Sequence, residues 1–257
     1  MAEQQYLVFE TSSNKIAINL NHVLEVIRMP NWTPYPNSSD YIKGIFNLRN
    51  NIIPLVDFRK LLGYQSFEHE INDLIDMLKL REQDHINWLN ELDLCVKERR
   101  EFRLVTDPHK CKFGQWYYTF KTNNVVLKNF LEQFEEPHKN VHDKGITVNE
   151  LMSQKKYEEA EKVVSQARQN EFKKMINLFN ELYGFLKSSI REFVVIINSD
   201  KGVKSFTVDK IDQIIKVADA DISLLDNAEL KGTAKEVIKR DKDIILKLDI
   251  QNLLEKI

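Results

Sequence analysis

At 257 residues, with 42% hydrophobic and 30% charged side chains, the chain has material for one large or two ordinary soluble globular domains. Its 37 basic and 39 acidic residues are interspersed, giving a formal net charge of −2 and excluding the one-signed block of a nucleic-acid or anionic-membrane binder. No apolar stretch approaches the roughly 20 residues of a membrane span, the start MAEQQYLVFE lacks a signal-peptide pattern, and two cysteines make no disulfide framework, so a cytoplasmic protein without membrane insertion is expected.

QYLVFE and KIAINL are short and rich in branched and aromatic residues, and the polar SSN between them predicts a β-hairpin. VLEVIR follows as a strand. The loop MPNWTPYPNSSD carries three prolines, which forbid a helix. GIFNL and NIIPLVDF then flank a turn at Arg49-Asn50-Asn51, and FRKLLG closes as one helical turn stopped by Gly63.

From about 67 to 189 the texture changes: the only prolines are Pro108 and Pro137, and apolar residues recur at helical spacing. Ile71, Leu74, Ile75, Leu78, His85, Leu89 and Leu92 form one stripe. Phe172, Met175, Ile176, Phe179, Leu182, Leu186 and Ile190 form another, on a long final helix. The two stripes predict an antiparallel stalk. After it, REFVVIIN, a Ser-Asp-Lys-Gly turn, VKSFTVDKI, and EVIKR with DIILKL around a polar turn restore β-character, and DIQNLLEKI predicts a short helix capped by Asp249. Antiparallel entry and exit helices bring the ends of an insert together. The expected organisation is therefore one β-domain, residues 1–66 and 190–257, split by a helical domain, residues 67–189.

Within the helical block, EEPHKNVHDKG places His138 and His142 on one face of a helix whose first turn holds Pro137. Such a pair can hold a metal or be merely solvated. His85 lies on an apolar stripe, the place of a hydrogen-bonded core histidine or of a ligand, and Cys111 is a small buried hydrophobe or a thiolate donor. Trp88 and Trp116 are large core anchors that wall the site, Cys95 belongs to the stripe, and His109, two before Cys111, is a weak competing ligand. The histidine spacing is that of a zinc protease, but Lys139 stands where the general-base glutamate would be, and no phosphate-cradling glycine loop or Ser/His/Asp order is present.

The flanks resemble the CheW-like chemotaxis coupling family: QYLVFETSSNKIAINLNHVLEVIR matches its first strands and V-x-E segment. YIKGIFNLRNNIIPLVDFRKLLG matches G-x-x-N-L-R-G-x-i-x-P-x-x-D-L, and FTVDKIDQIIKV matches V-D-x-V-x-x-V. Asn50 stands at the family's glycine, and Asn also tolerates a left-handed turn. The insert resembles the chemoreceptor zinc-binding (CZB) family through HINW, CKFGQWYY and HKNVH, in that order.

These resemblances imply an α+β multidomain fold, a pair of small SH3-like β-barrels interrupted by a helical bundle. They imply Zn2+ held by His85, Cys111, His138 and His142; Glu135, Glu136, Asp84 and Asp143, near these in sequence, are candidates to orient the imidazoles or are simply helix-dipole partners. Four protein ligands close the coordination sphere, which favours a structural or sensing site over a hydrolase. Oxidation of the one thiolate would weaken it, so zinc or oxidant sensing is implied. The coupling family implies a non-enzymatic scaffold between the chemoreceptor cytoplasmic tip and the histidine kinase CheA, in or near receptor arrays, contacting partners through Val23, Glu25, Gly44 and Arg49. The alternatives are a passive scaffold with a purely structural zinc, and a zinc-dependent hydrolase.

Overall fold

The computed structural model describes residues 3–122, 124–199, 202–225, 234–240 and 243–256. The chain forms β1 (Glu3–Thr11), β2 (Asn14–Asn19), β3 (Val23–Arg28), β4 (Ile42–Leu48), β5 (Asn51–Val56) and the single turn α1 (Phe58–Leu61). Helices follow: α2 (Phe67–Lys97), α3 (Lys112–Tyr117), α4 (Val125–Glu132), α5 (Glu135–Ser153), α6 (Tyr157–Ala167) and α7 (Lys173–Ser189). The chain returns to β6 (Phe193–Ser199), β7 (Gly202–Val208), β8 (Lys210–Ala218), β9 (Ile222–Leu224), β10 (Ala234–Arg240) and β11 (Asp243–Leu248), then α8 (Ile250–Lys256). Two compact units result: Met1–Glu70 with Ile190–Ile257, and Ile71–Ser189. No helix among the described residues is long and apolar enough to cross a membrane.

In the β-unit the first hairpin turns on Ser12-Ser13, and β4–β5 turns on Arg49-Asn50. Both residues of each turn have positive φ, 49° and 65° in the first and 50° and 68° in the second, which matches the twist of the flanking strands. The second turn is two residues long, not three, because Asn51 already pairs with Leu48. Asn47 Oδ1 accepts from the Asn50 backbone N–H at 2.9 Å and holds it. The turn expected at 199–202 and the one between EVIKR and DIILKL include residues 200–201 and 241–242, which lie outside the described residues.

Six strands form one sheet in the order β8-β1-β2-β11-β10-β9. Laid flat, its outer strands would stand roughly 24 Å apart. Yet β8 reaches β9 through Asp219–Asp221 alone, a link spanning at most about 14 Å, so the sheet curls on itself. The other sheet runs β3-β6-β7-β5-β4, and the chain that follows β3 reaches its far edge. Just past β3, Thr33 exchanges backbone hydrogen bonds with Ile45 of β4 at 2.8 and 2.9 Å. Each sheet takes strands from both sides of the helical insert, so neither flank can complete a sheet alone.

The insert leaves after β5 and α1 and returns into β6, and β5 and β6 share the five-stranded sheet. It therefore interrupts the five-stranded sheet. The run VKSFTVDKI, expected as one strand, breaks at Asp209, where the chain passes from β7 in one sheet to β8 in the other. Asp209 is held there by Arg59 of α1, which donates through Nε (2.8 Å) and Nη2 (2.6 Å), and by the Ser12 backbone N–H (2.8 Å). Arg59 also pairs with Glu70 and lies 4.8 Å from the ring of Phe67.

Unbroken apolar runs become strands buried on both faces. Tyr6 and Val8 fill one barrel with Ala17, Ile215 and Ile238, while Leu7 and Phe9 face the opposite way. Val194 and Ile196 fill the other barrel with Phe46, Ile53 and Leu55. Leu7, Phe9, Val195, Ile197, Phe58 and Leu253 share a third core, to which α8 contributes after its Asp249 cap accepts from the Asn252 N–H at 3.1 Å.

In the helical unit, α2 and α7 run antiparallel: Glu82 meets Tyr183 (2.8 Å), and further along α2, just before α7 begins, Asn90 meets Arg168 (3.2 Å). The predicted final helix starts earlier, at α6, and continues to α7 through one π-helical stretch, Arg168–Phe172. The core is aromatic, with Phe113, Phe134 and Phe179 in mutual ring contact.

Candidate metal centre

Three separate segments deliver four donor side chains. His85 comes from the middle of α2, Cys111 from the residue that caps α3, and His138 and His142 from successive turns of α5. One ligand atom from each lies within 4.8 Å of all the others. Cys111 Sγ stands 3.2 Å from His138 Nε2 and 3.8 Å from His85 Nε2. A tetrahedron with metal–nitrogen bonds of ~2.0 Å and a metal–sulfur bond of ~2.3 Å has sulfur–nitrogen edges of roughly 3.5 Å. The spacing suits such an ion.

The donors are arranged for a cation. His85 Nδ1–H donates to the Arg81 carbonyl at 2.8 Å, and His142 Nδ1–H donates to the Val105 carbonyl at 3.2 Å, which leaves Nε2 of each ring as a lone-pair donor. His142 Nε2 is buried with no hydrogen-bond partner, a costly state that a metal relieves. Burial, followed by the neighbouring histidines, pushes His138 down to about 2 and His142 down to about 4. Burial also lowers His85, against the Arg81 carbonyl. All three imidazoles are thus neutral at pH 7, the form that ligates. Burial raises the Cys111 thiol, opposed by the backbone N–H groups of Gly114 and Phe113, so metal entry must displace its proton.

Backbone carbonyls, not carboxylates, orient two of the rings. Among the candidate acids, Asp84 is paired with Arg81 at 3.2 Å and Glu135 accepts from Tyr118 at 3.1 Å. Trp88 lies 5.1 Å from the His142 ring, with its Nε1–H on the same Val105 carbonyl at 2.8 Å. Trp116 does not reach the histidine rings; it packs on Phe113 and Phe120. The ring beside His85 and His138 is Phe113, at 5.8 and 5.0 Å. His109 is exposed and stacked on Tyr118, away from the four donors, and Cys95 is buried near Arg100 and Glu91.

Sequence reasoning missed Val105, Phe113 and Gly145. Gly145, one turn past His142, faces Trp88: a Cβ there would lie 2.9 Å from the indole. A glycine inside a helix costs about 1 kcal/mol relative to alanine, and that oddity in HKNVHDKG was the available signal.

The four residues matched to the coupling family's contacts lie in the five-stranded barrel. Val23 packs inward against the shared core. Arg49, at a turn tip with its side chain 79% exposed, donates to Glu25 at 3.0 Å. Gly44 is buried, where a Cβ would meet the Thr33 carbonyl at 2.2 Å, so only glycine lets the loop cross it. Glu25 and Arg49 are joined; Gly44 supports the loop that carries Trp32.

Comparison with known proteins gives two family matches, a CheW-like domain over residues 5–83 and a chemoreceptor zinc-binding domain over residues 85–149. The chain carries both domains. The chain is 32% identical to "Chemotaxis protein CheW" of Thermotoga maritima over 75 residues, 29% of this chain and 50% of that one. A 46-residue stretch is 50% identical to "Chemotaxis protein CheV3" of Helicobacter pylori, covering 18% of this chain and 15% of that one. The chain thus spans about half the length of the first relative, and less of the second. The crystal structure of the scaffolding protein TtCheW from Thermoanaerobacter tengcongensis superposes with a TM-score of 0.45 at 12% identity, covering 96% of this chain and 85% of that one. The zinc-binding domain match spans His85, Cys111, His138 and His142.

Proposed function

We propose that this protein is a chemotaxis adaptor that links chemoreceptors to the histidine kinase CheA, and that its helical unit holds Zn2+ through His85, Cys111, His138 and His142. One observation carries the proposal: a thiol and three buried neutral imidazoles from three segments converge in a cluster whose His142 Nε2 has no hydrogen-bond partner among the described residues. With four protein donors the ion keeps no position for water, so its contribution is structural and regulatory rather than hydrolytic. The protein itself performs no reaction. Glu25 and Arg49, displayed on the closed barrel, are the contacts offered to receptor or kinase.

Metal occupancy is the signal. The ion holds α2, α3 and α5 together, and loss of the Cys111 donor by oxidation weakens that hold. A ligand shifts the adaptor's output only by its differential affinity for the two states. The test is metal content of the purified protein before and after mild oxidant, for wild type and Cys111→Ser, alongside binding to a receptor tip and CheA in both metal states. One equivalent of zinc, released by oxidant, with altered partner affinity, is the expected result. Unchanged partner affinity would leave a scaffold with a zinc staple; a metal-free protein would end the metal reading.

A further inference from the structure

Beside the four donors, and inside the helical unit, opens a cavity of about 820 Å3 whose lining includes Trp88, Leu104, Val105, Phe113, Cys111 and His142. Of the four donors only Cys111 is partly exposed, while His138 and His142 are at 0% and His85 at 3%. A reagent entering from solvent therefore meets the sulfur first. Leu104 and Val105 lie in irregular chain between α2 and α3 and are each 45% exposed, apolar surface left uncovered at the cavity wall. Val105 is also fixed in place, because its carbonyl accepts from both Trp88 Nε1 and His142 Nδ1.

A chamber of this size fits an organic molecule, for which pockets of roughly 300–1,000 Å3 are usual, and water-sized oxidants have no use for it. Building on the reading of Cys111 as an oxidisable metal donor, we infer that the cavity selects organic hydroperoxides over hydrogen peroxide. The apolar group rests against Leu104, Val105 and Trp88, and the peroxide reaches the Cys111 sulfur. The Cys111 thiolate attacks the terminal oxygen, the O–O bond breaks and an S–O bond forms. Sulfur is oxidised by two electrons to a sulfenate, and the hydroperoxide is reduced to its alcohol, the terminal proton ending on the departing alkoxide. The sulfenate is a poorer donor, so the ion is released.

The test exposes the zinc-loaded full chain to cumene hydroperoxide and, separately, to hydrogen peroxide. Zinc release to a chromogenic chelator and the mass of the Cys111 peptide are followed, with each rate divided by that of the same reagent on a short zinc-loaded Cys/His peptide. The normalised preference for cumene hydroperoxide should be about tenfold or more, the effect of covering one apolar group. Leu104→Glu should abolish that preference, with the hydrogen peroxide rate and metal content unchanged. Equal normalised rates, or a preference that survives Leu104→Glu, would overturn the inference. A chain purified without zinc, or oxidation that leaves zinc bound, would instead refute the sensing reading, and the Cys111 peptide mass would still report the selectivity.

Discussion

The two units bury polar groups in opposite ways. In the β-unit, the Arg59 guanidinium, 5% exposed, is surrounded by carboxylates: Asp209 takes two of its N–H groups and Glu70 another. Burial alone would lower its pKa, yet the hydrogen bonds it donates to Asp209 and Glu70 outweigh that and raise it. In the helical unit, the equivalent buried cluster is three imidazoles and a thiol, no counter-charge among them, with His138 Nδ1 and His142 Nε2 lacking partners. A buried polar group is stable only when matched. The Arg59 cluster matches its own groups; the imidazole–thiol cluster is incomplete until a cation arrives.

The contrast can be broken by experiment, most forcefully at Arg59. Arg59→Met leaves Asp209 without its partner and should cost about 3–5 kcal/mol, the usual penalty for stripping one side of a buried pair. Urea unfolding followed in the β-unit should show this loss while zinc content stays constant; a loss confined to the helical unit would contradict the contrast.

Chelation is the complementary test. At free zinc a thousandfold above its dissociation constant, the ion stabilises the folded state by about 4 kcal/mol. Calorimetry should therefore show one transition that falls on adding chelator and another that does not move. If both fall together, the β-unit is not independent of the metal.

Acid sharpens the same distinction. The folded values of His138 and His142, about 2 and about 4, lie below the ordinary 6.5, so the unfolded chain binds the extra protons. Stability of the metal-free helical unit is then fully present above pH 6.5 and is lost as pH falls, toward 4 for His142 and toward 2 for His138. Each histidine removes up to roughly 1.4 kcal/mol per pH unit. The urea midpoint of the chelated protein at pH 7 and pH 5 measures this, and the Arg59 cluster predicts little change in the β-unit over that range.

The smallest expected effect belongs to Gly145→Ala, which presses a methyl group against Trp88 and should cost about 1–3 kcal/mol. It should broaden the helical transition and weaken zinc retention, since Trp88 and His142 share the Val105 carbonyl. A wild-type zinc affinity in this variant would show that the wall does not position the ligand.

Much of this was legible in the sequence because it is written at short range. Alternation and turn residues mark the strands of both flanks, Asp249 and Gly63 mark helix ends, and histidines one turn apart on α5 must share a face. Resemblance added the pairing of His85 and Cys111 with them, which spacing alone could not supply. The carbonyls of Arg81 and Val105 escaped notice because every residue has one, and only its neighbours reveal which is used.

The amino-acid order by itself determined which segments are strands and helices, and which side chains can donate to a metal, because backbone preference and side-chain chemistry are local properties. Only the tertiary structure decided that the chain changes sheets at Asp209, that both barrels mix strands from either side of the insert, and that Phe113 rather than Trp116 flanks the histidines. Those outcomes depend on which surfaces pack across long stretches of chain, a choice made by burial and steric fit among all segments at once.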